Sequence, residues 1–107
     1  MGPGGKKYFK VLRNDLTSIG LLGAKRMQYC FGVWNYPGEV ISNHPRKGGG
    51  LWVAHTKSQA KAMSKYAFKK YGIKTRIFSC QIGEVIYQTS CRLKTDRLFF
   101  EAVDEVL

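Results

Sequence analysis

A chain of 107 residues, 44% hydrophobic and 13% aromatic, carries apolar material for one core and is near the size of one domain. It has no apolar run of about 18 residues, which excludes a membrane-spanning helix, and its opening residues lack the apolar stretch of a secretory signal, so an intracellular protein of cytoplasm or nucleus, not a secreted one, is expected. The formal net charge of +11 points to an anionic partner, because an anion relieves the self-repulsion of so basic a chain.

Residues 1–7 read as a flexible leader and 8–107 as a single domain. Residues 8–12 alternate apolar and polar as a first strand, and Arg13-Asn14-Asp15 supplies turn chemistry after it. A second strand is expected over 27–34, with Cys30 and Gly32 as small residues inside it, followed by the turn signal Asn35-Tyr36-Pro37-Gly38. A short strand at 40–41 precedes a long loop, 42–50, that contains Arg46-Lys47-Gly48-Gly49-Gly50, and 51–54 reads as a buried strand. Thr56-Lys57-Ser58-Gln59 matches a capping box, in which the Thr hydroxyl caps the third helical amide and Gln reaches back to the cap. Gly72 is the matching stop, so a helix is expected over 57–71. Strands follow at 75–80, 84–88 and 97–100, with Ile82-Gly83 as a bulge or tight bend, and 101–107 reads as a short helix or tail. The fold class expected is α+β, one main helix packed on a mostly antiparallel sheet of five to seven short strands.

The charge is unevenly placed. Residues 1–76 hold fifteen Lys or Arg against Asp15 and Glu39, whereas 77–107 hold three against five acids. On the helix, Ala60, Ala62, Met63, Tyr66, Ala67 and Tyr71 fall on one broad side, expected to face the sheet. Lys57, Lys61, Lys65 and Lys69 fall on the other at strict four-residue spacing, with Phe68 among them. Like charges at that spacing oppose the helix by about 0.2–0.5 kcal/mol per pair. Four ammonium groups about 6 Å apart along an axis suit a phosphate backbone instead. Lys70, Lys74 and Arg76 extend the basic run, and Arg46 and Lys47 in the glycine-rich loop would support it through an anion nest. Phe68, Tyr36 and Trp52 are the aromatic residues that would stack on bases if exposed.

Cys30, Cys80 and Cys91 are odd in number and lack the paired spacing of zinc or redox motifs, so no disulfide framework and no metal are expected, and Cys80 reads as a small buried thiol. His44 and His55 have no Cys, Asp or Glu near them in sequence, and no nucleophile–base pair is evident.

The stretch Gly50-Leu51-Trp52-Val53-Ala54, with Thr56, Ser58 and Ala60 opening a helix and Arg76-Ile77-Phe78-Ser79-Cys80-Gln81-Ile82-Gly83-Glu84-Val85 after it, resembles the central part of small ADP-ribosyltransferase-like domains over about a third of the chain. The same order of motifs is similar to that of small phage and bacterial domains. The resemblance implies an NAD cleft, or its degenerate descendant, with Arg13 on the nicotinamide ribose side, Ser58 (or Thr56) at the helix start, and Glu84 stabilising an oxocarbenium-like transition state.

The residues favour a non-enzymatic nucleic-acid-binding module without cofactor, contacting RNA or DNA through its backbone, with a compactness and charge in keeping with a viral or phage source. The alternatives are the NAD-using ADP-ribosyltransferase-like domain, active or not, and a protein-interaction or inhibitor module whose basic face docks an acidic protein surface. The acidic end is expected either to screen the basic face within the domain or to meet the basic face of a second copy in a homodimer.

Overall fold

A computed structural model describes residues 6–19, 27–37, 50–100 and the backbone of 105–106. The elements are β1 (Tyr8–Arg13), β2 (Trp34–Asn35), β3 (Leu51–Ala54), α1 (Lys57–Tyr71), β4 (Thr75–Ile82), β5 (Val85–Gln88), β6 (Arg92–Thr95), β7 (Leu98–Phe99) and β8 (Glu105–Val106). The protein is α+β: the described residues form one helix and an antiparallel curled sheet in the order β2-β7-β4-β1-β3-β6-β5, with β8 paired to β4. The expected strand at 40–41 and the loop cations Arg46 and Lys47 lie outside the described residues.

The curl follows from two long, bent strands paired along their length. β4 pairs with β7 through Gln81 and Ile82, the ladder continues across the bend as Gly83 N–H donates to Arg97 C=O (3.1 Å) and Asp96 N–H to Glu84 C=O (3.3 Å), and β5 then pairs with β6. The Asp96 carboxylate accepts from Glu84 N–H at 2.8 Å and fixes the turn.

Alternation along the strands feeds apolar side chains to both faces of the sheet. Phe9, Val11, Ala54 and Ile77 meet Ala60 of α1 on one face. Leu12, Leu51, Val53, Phe78, Cys80, Leu93, Leu98 and Phe100, with Tyr29, form the larger core on the other. Phe31, Phe78 and Phe100 meet edge to face there, with centroids 5.1–6.2 Å apart, the arrangement that aromatic quadrupoles favour.

Helix α1 has the limits its caps predict. Thr56 Oγ1 accepts from Gln59 N–H at 3.2 Å, and Gly72, left-handed at φ 69°, sends its N–H to Phe68 C=O while Ile73 N–H reaches Ala67 C=O, a left-handed glycine cap of the αL type. The capping box is not reciprocal, because the Gln59 amide donates to Ser90 C=O (2.9 Å) and ties α1 to the β5–β6 turn. The sheet-facing stripe is also narrower than expected. Ala60 and Ala67 are buried, Met63 and Ser64 half-buried, and Ala62, Tyr66 and Tyr71 are exposed. Small residues let α1 sit close to the sheet, and Tyr66, one residue step or about 100° round from Ala67, is turned out of the contact. The Ser64 and Thr75 hydroxyls bond each other at one margin.

Three further expectations are corrected. Only an isolated bridge, Thr17 to Gln28, and the two-residue β2 occur where a strand was expected over 27–34. The buried Asn35 side chain accepts from Cys30 N–H (2.9 Å) and donates to Cys30 C=O (2.9 Å) and Leu98 C=O (3.2 Å), folding the segment around itself with Gly32 at φ 78°. Such side-chain bonds compete with a ladder for the same backbone groups. In the second, β6 forms where none was expected, since Arg92-Leu93-Lys94-Thr95 offers one large apolar residue, yet Leu93, Lys94 and Thr95 are all buried. In the third, Glu105–Val106 adds to the free side of β4 opposite Ile77 and Phe78, so the end of the chain contributes a strand and not a helix.

Gly50 shows how the wholly buried Lys94 is accommodated. Its φ of +82° suits glycine, and a Cβ there would overlap the Lys94 stem. Gly50→Ala is expected to lower the unfolding free energy by about 2 kcal/mol or more, combining left-handed strain with displacement of a side chain that has no room to move. Denaturant unfolding with an unchanged m-value checks it.

Candidate nucleic-acid interface

The outward side of α1 is built by exclusion: once Ala60, Met63, Ser64 and Ala67 are committed to the sheet, the 3.6-residue period leaves Lys57, Lys61, Lys65 and Lys69 in solvent. The helix carries no acidic residue, and Lys69 and Lys70 occupy its last turn, where cations complement the helix dipole. Lys74 is exposed just beyond Gly72. Phe68 lies among the lysines at 56% exposure, and among the described residues it makes none of the ring contacts that hold the interior aromatic residues.

The arginines are placed differently. Arg13 donates from Nε (2.9 Å) and Nη2 (2.6 Å) to Ile19 C=O. Arg76 is half-buried with its guanidinium 5.2 Å from the Phe78 ring, on the sheet face away from α1, so it does not prolong the lysine row. Arg92 lies 4.3 Å above Trp52. Arg97 covers Trp34 at 5.0 Å and pairs with Asp96 at 3.3 Å. Planar guanidinium groups suit ring faces and carbonyls, whereas Lys57, Lys61, Lys65 and Lys69 keep compact, hydrated charges in water. Sequence counting merges these two populations, which the structure separates.

Of the other aromatic candidates, Tyr36 is exposed after β2, and Trp52, on β3, is half-buried beneath Arg92 and edge-on to Tyr87 at 6.2 Å. Sequence reasoning placed Tyr66 and Tyr71 in the core. They are exposed, 6.1 Å apart, with the Lys70 ammonium 5.5 and 5.6 Å from their centroids. Hydrogen bonding to Lys70 lowers the Tyr66 phenol, and the same bond raises the Lys70 ammonium. The signal that would have found them is the narrowness of the stripe itself: a helix resting on alanines has no space beneath it for a tyrosine.

Two depressions flank α1. A shallow one of about 530 Å³ at its C-terminal end is bordered by Arg13, Asp15, Tyr71 and Lys74. A more apolar one of about 400 Å³ lies between α1 and the start of β6, bordered by Ile19, Ala62, Met63, Tyr66 and Arg92.

The residues implied by the ADP-ribosyltransferase resemblance are spread out. Arg13 stands at the C-terminal end of α1. Ser58 is exposed in the first turn, about 20 Å away along a helix rising 1.5 Å per residue. Glu84 is exposed in the β4–β5 turn beside Asp96. Neither depression is bordered by Ser58 or Glu84. The Cys80 thiol is buried, and desolvation pushes it up to about 12, the reverse of what a nucleophile needs. His55 is tied through Nε2 to Thr89 C=O at 2.9 Å. Among the described residues, no three of His, Cys, Asp and Glu gather as a metal ion would require, and no helix is long and apolar enough to cross a membrane. Compared with models of protein families, with curated proteins and with solved structures, the chain matches none.

Proposed function

We propose that the protein is a non-enzymatic nucleic-acid-binding module that holds a phosphate backbone along α1. The observation that carries this reading is the solvent-exposed row Lys57, Lys61, Lys65 and Lys69 on a helix without an acid, continued by Lys70 and Lys74. Such a row opposes its own helix, since each i,i+4 lysine pair is repulsive, and phosphate oxygens at similar spacing turn that repulsion into attraction. Phe68 adds an exposed ring inside the row. Arg76, laid on Phe78, acts as packing here and supplies no contact to the strand.

Binding of labelled RNA and DNA oligomers across a salt series tests the reading. If the six exposed lysines engage, log affinity is expected to fall against log salt with a slope of about −4 to −5, given roughly 0.7 to 0.9 released counterions per neutralised phosphate. No binding at low salt sinks it. A tight complex with an acidic protein that persists at high salt would replace nucleic acid with a protein surface.

A further inference from the structure

We infer that the cleft between α1 and the start of β6 receives a nucleobase from a single strand whose phosphates run along the lysine row, an assignment that rests on the nucleic-acid reading above. Ile19, Ala62 and Met63 give the cleft an apolar floor, and its volume of about 400 Å³ falls within the range of small-molecule sites. The half-exposed Tyr66 is part of its lining. Arg92 also borders the cleft, its guanidinium carbon 4.3 Å from the centroid of the Trp52 ring. Among the described residues no acid borders the cleft, and the Lys70 ammonium stands 5.5 Å from the centroid of Tyr66.

An apolar cleft bordered by a tyrosine and an arginine, with a lysine ammonium beside that tyrosine, is complementary to a flat ring carried on an anionic chain. An aliphatic side chain or acyl group would use the floor but not the cations, and a duplex keeps its base faces stacked inside. On the surface of α1, Ala62 is the step from row to cleft. In projection at 100° per residue, Ala62 stands between Lys65 and Lys69 on one side and Tyr66 on the other, and it is exposed with nothing beyond Cβ to bar the way. The Gln59 amide, pinned to Ser90 C=O, joins α1 to the β5–β6 turn and keeps the cleft walls in register. These walls come from residue 19, from α1 and from residue 92, so no local sequence window contains the site.

The test compares three probes at one salt concentration: an oligothymidylate, an abasic oligomer with the same number of phosphates, and a duplex of equal length. The oligothymidylate is expected to bind about tenfold or more tightly than the abasic strand, as one well-stacked base gives. Ala62→Trp, which fills the cleft from an exposed position, and Tyr66→Ala, which removes a wall, should each bring the intact strand down to the abasic level while leaving abasic binding unchanged. Circular dichroism checks that both variants fold, and the comparison of strands on the wild-type protein stands without them. Equal affinity for intact and abasic strands overturns the base site and leaves backbone binding standing. Preference for the duplex overturns it likewise, and failure of all three probes to bind overturns both readings.

Discussion

The unfolding free energy is expected to rise by about 1 kcal/mol between about pH 7 and pH 9, and Lys10→Met should abolish that rise while stabilising the protein at neutral pH. Lys10 is buried on the larger-core face of β1, its ammonium donating to Trp52 C=O at 2.8 Å and lying 5.4 Å from the Tyr29 ring. Desolvation lowers it from 10.5 to about 8, against a smaller opposing influence of Cys80. Since the folded pKa lies below the unfolded one, the unfolded chain binds more protons between these values, and stability increases with pH through that window. Cys80 acts in the opposite sense. Burial holds its thiol up to about 12 against an ordinary 9.0, so the unfolded chain alone ionises above about pH 9 and stability falls there. Tyr29, also raised by burial, adds to the fall at higher pH. The sum is a rise, a plateau and a decline.

Holding Lys10 protonated in the interior costs about 3 kcal/mol at pH 7 by the same linkage. Methionine removes that cost and forfeits one hydrogen bond to Trp52 C=O, worth about 1–2 kcal/mol. The variant should therefore be more stable by about 1–2 kcal/mol at pH 7 and no longer gain stability toward pH 9. Guanidinium unfolding at three pH values decides it. A wild-type curve flat from pH 7 to 9, or a variant of lower stability with an unchanged slope, contradicts the assignment.

Lys10 also shows where the sequence could be read and where it could not. The limits of α1 were legible to the residue because Thr56 and Gly72 act through their own neighbours in the chain. β1, β3 and the first part of β4 were legible for the same reason: alternation of apolar residues is local. Lys10 and Lys94 entered the charge count like any other lysine, and nothing in the pattern marks them as the two that lie inside, because burial of a lysine depends on what the sheet brings over it. β6 escaped notice on account of Lys94 itself. Residues 27–34 read as a strand because their apolar content outweighs, in a pattern, the one amide that follows them, Asn35, whose bonds to residues 30 and 98 decide the shape of the segment. For the candidate site the difference is similar. The lysine row follows from period alone, while the arginines' attachment to rings, the exposure of Tyr66 and the cleft near Arg92 depend on contacts between distant segments.

Lys61→Glu with Lys65→Glu should reduce affinity for oligonucleotides about a hundredfold or more near 0.1 M salt and make the salt slope shallower by about two units. Each phosphate contact releases close to one counterion, which at that salt is worth about 1 kcal/mol, and charge reversal puts repulsion where two attractions stood. The same change has the opposite effect on the helix. Lys57 with position 61, and position 65 with Lys69, become opposite-charge pairs at i,i+4, and the like-charge pair between 61 and 65 persists with its sign reversed. Two repulsions become attractions, which strengthens α1 by about 1 kcal/mol in all. Binding and stability are thus expected to move in opposite directions, so loss of affinity cannot be ascribed to unfolding. Because these side chains are exposed and α1 rests on Ala60 and Ala67, the core is untouched by the change. A variant that binds as well as the wild type would remove the lysine row from the interface. One that binds poorly and melts lower would show that the row supports the fold and not a ligand.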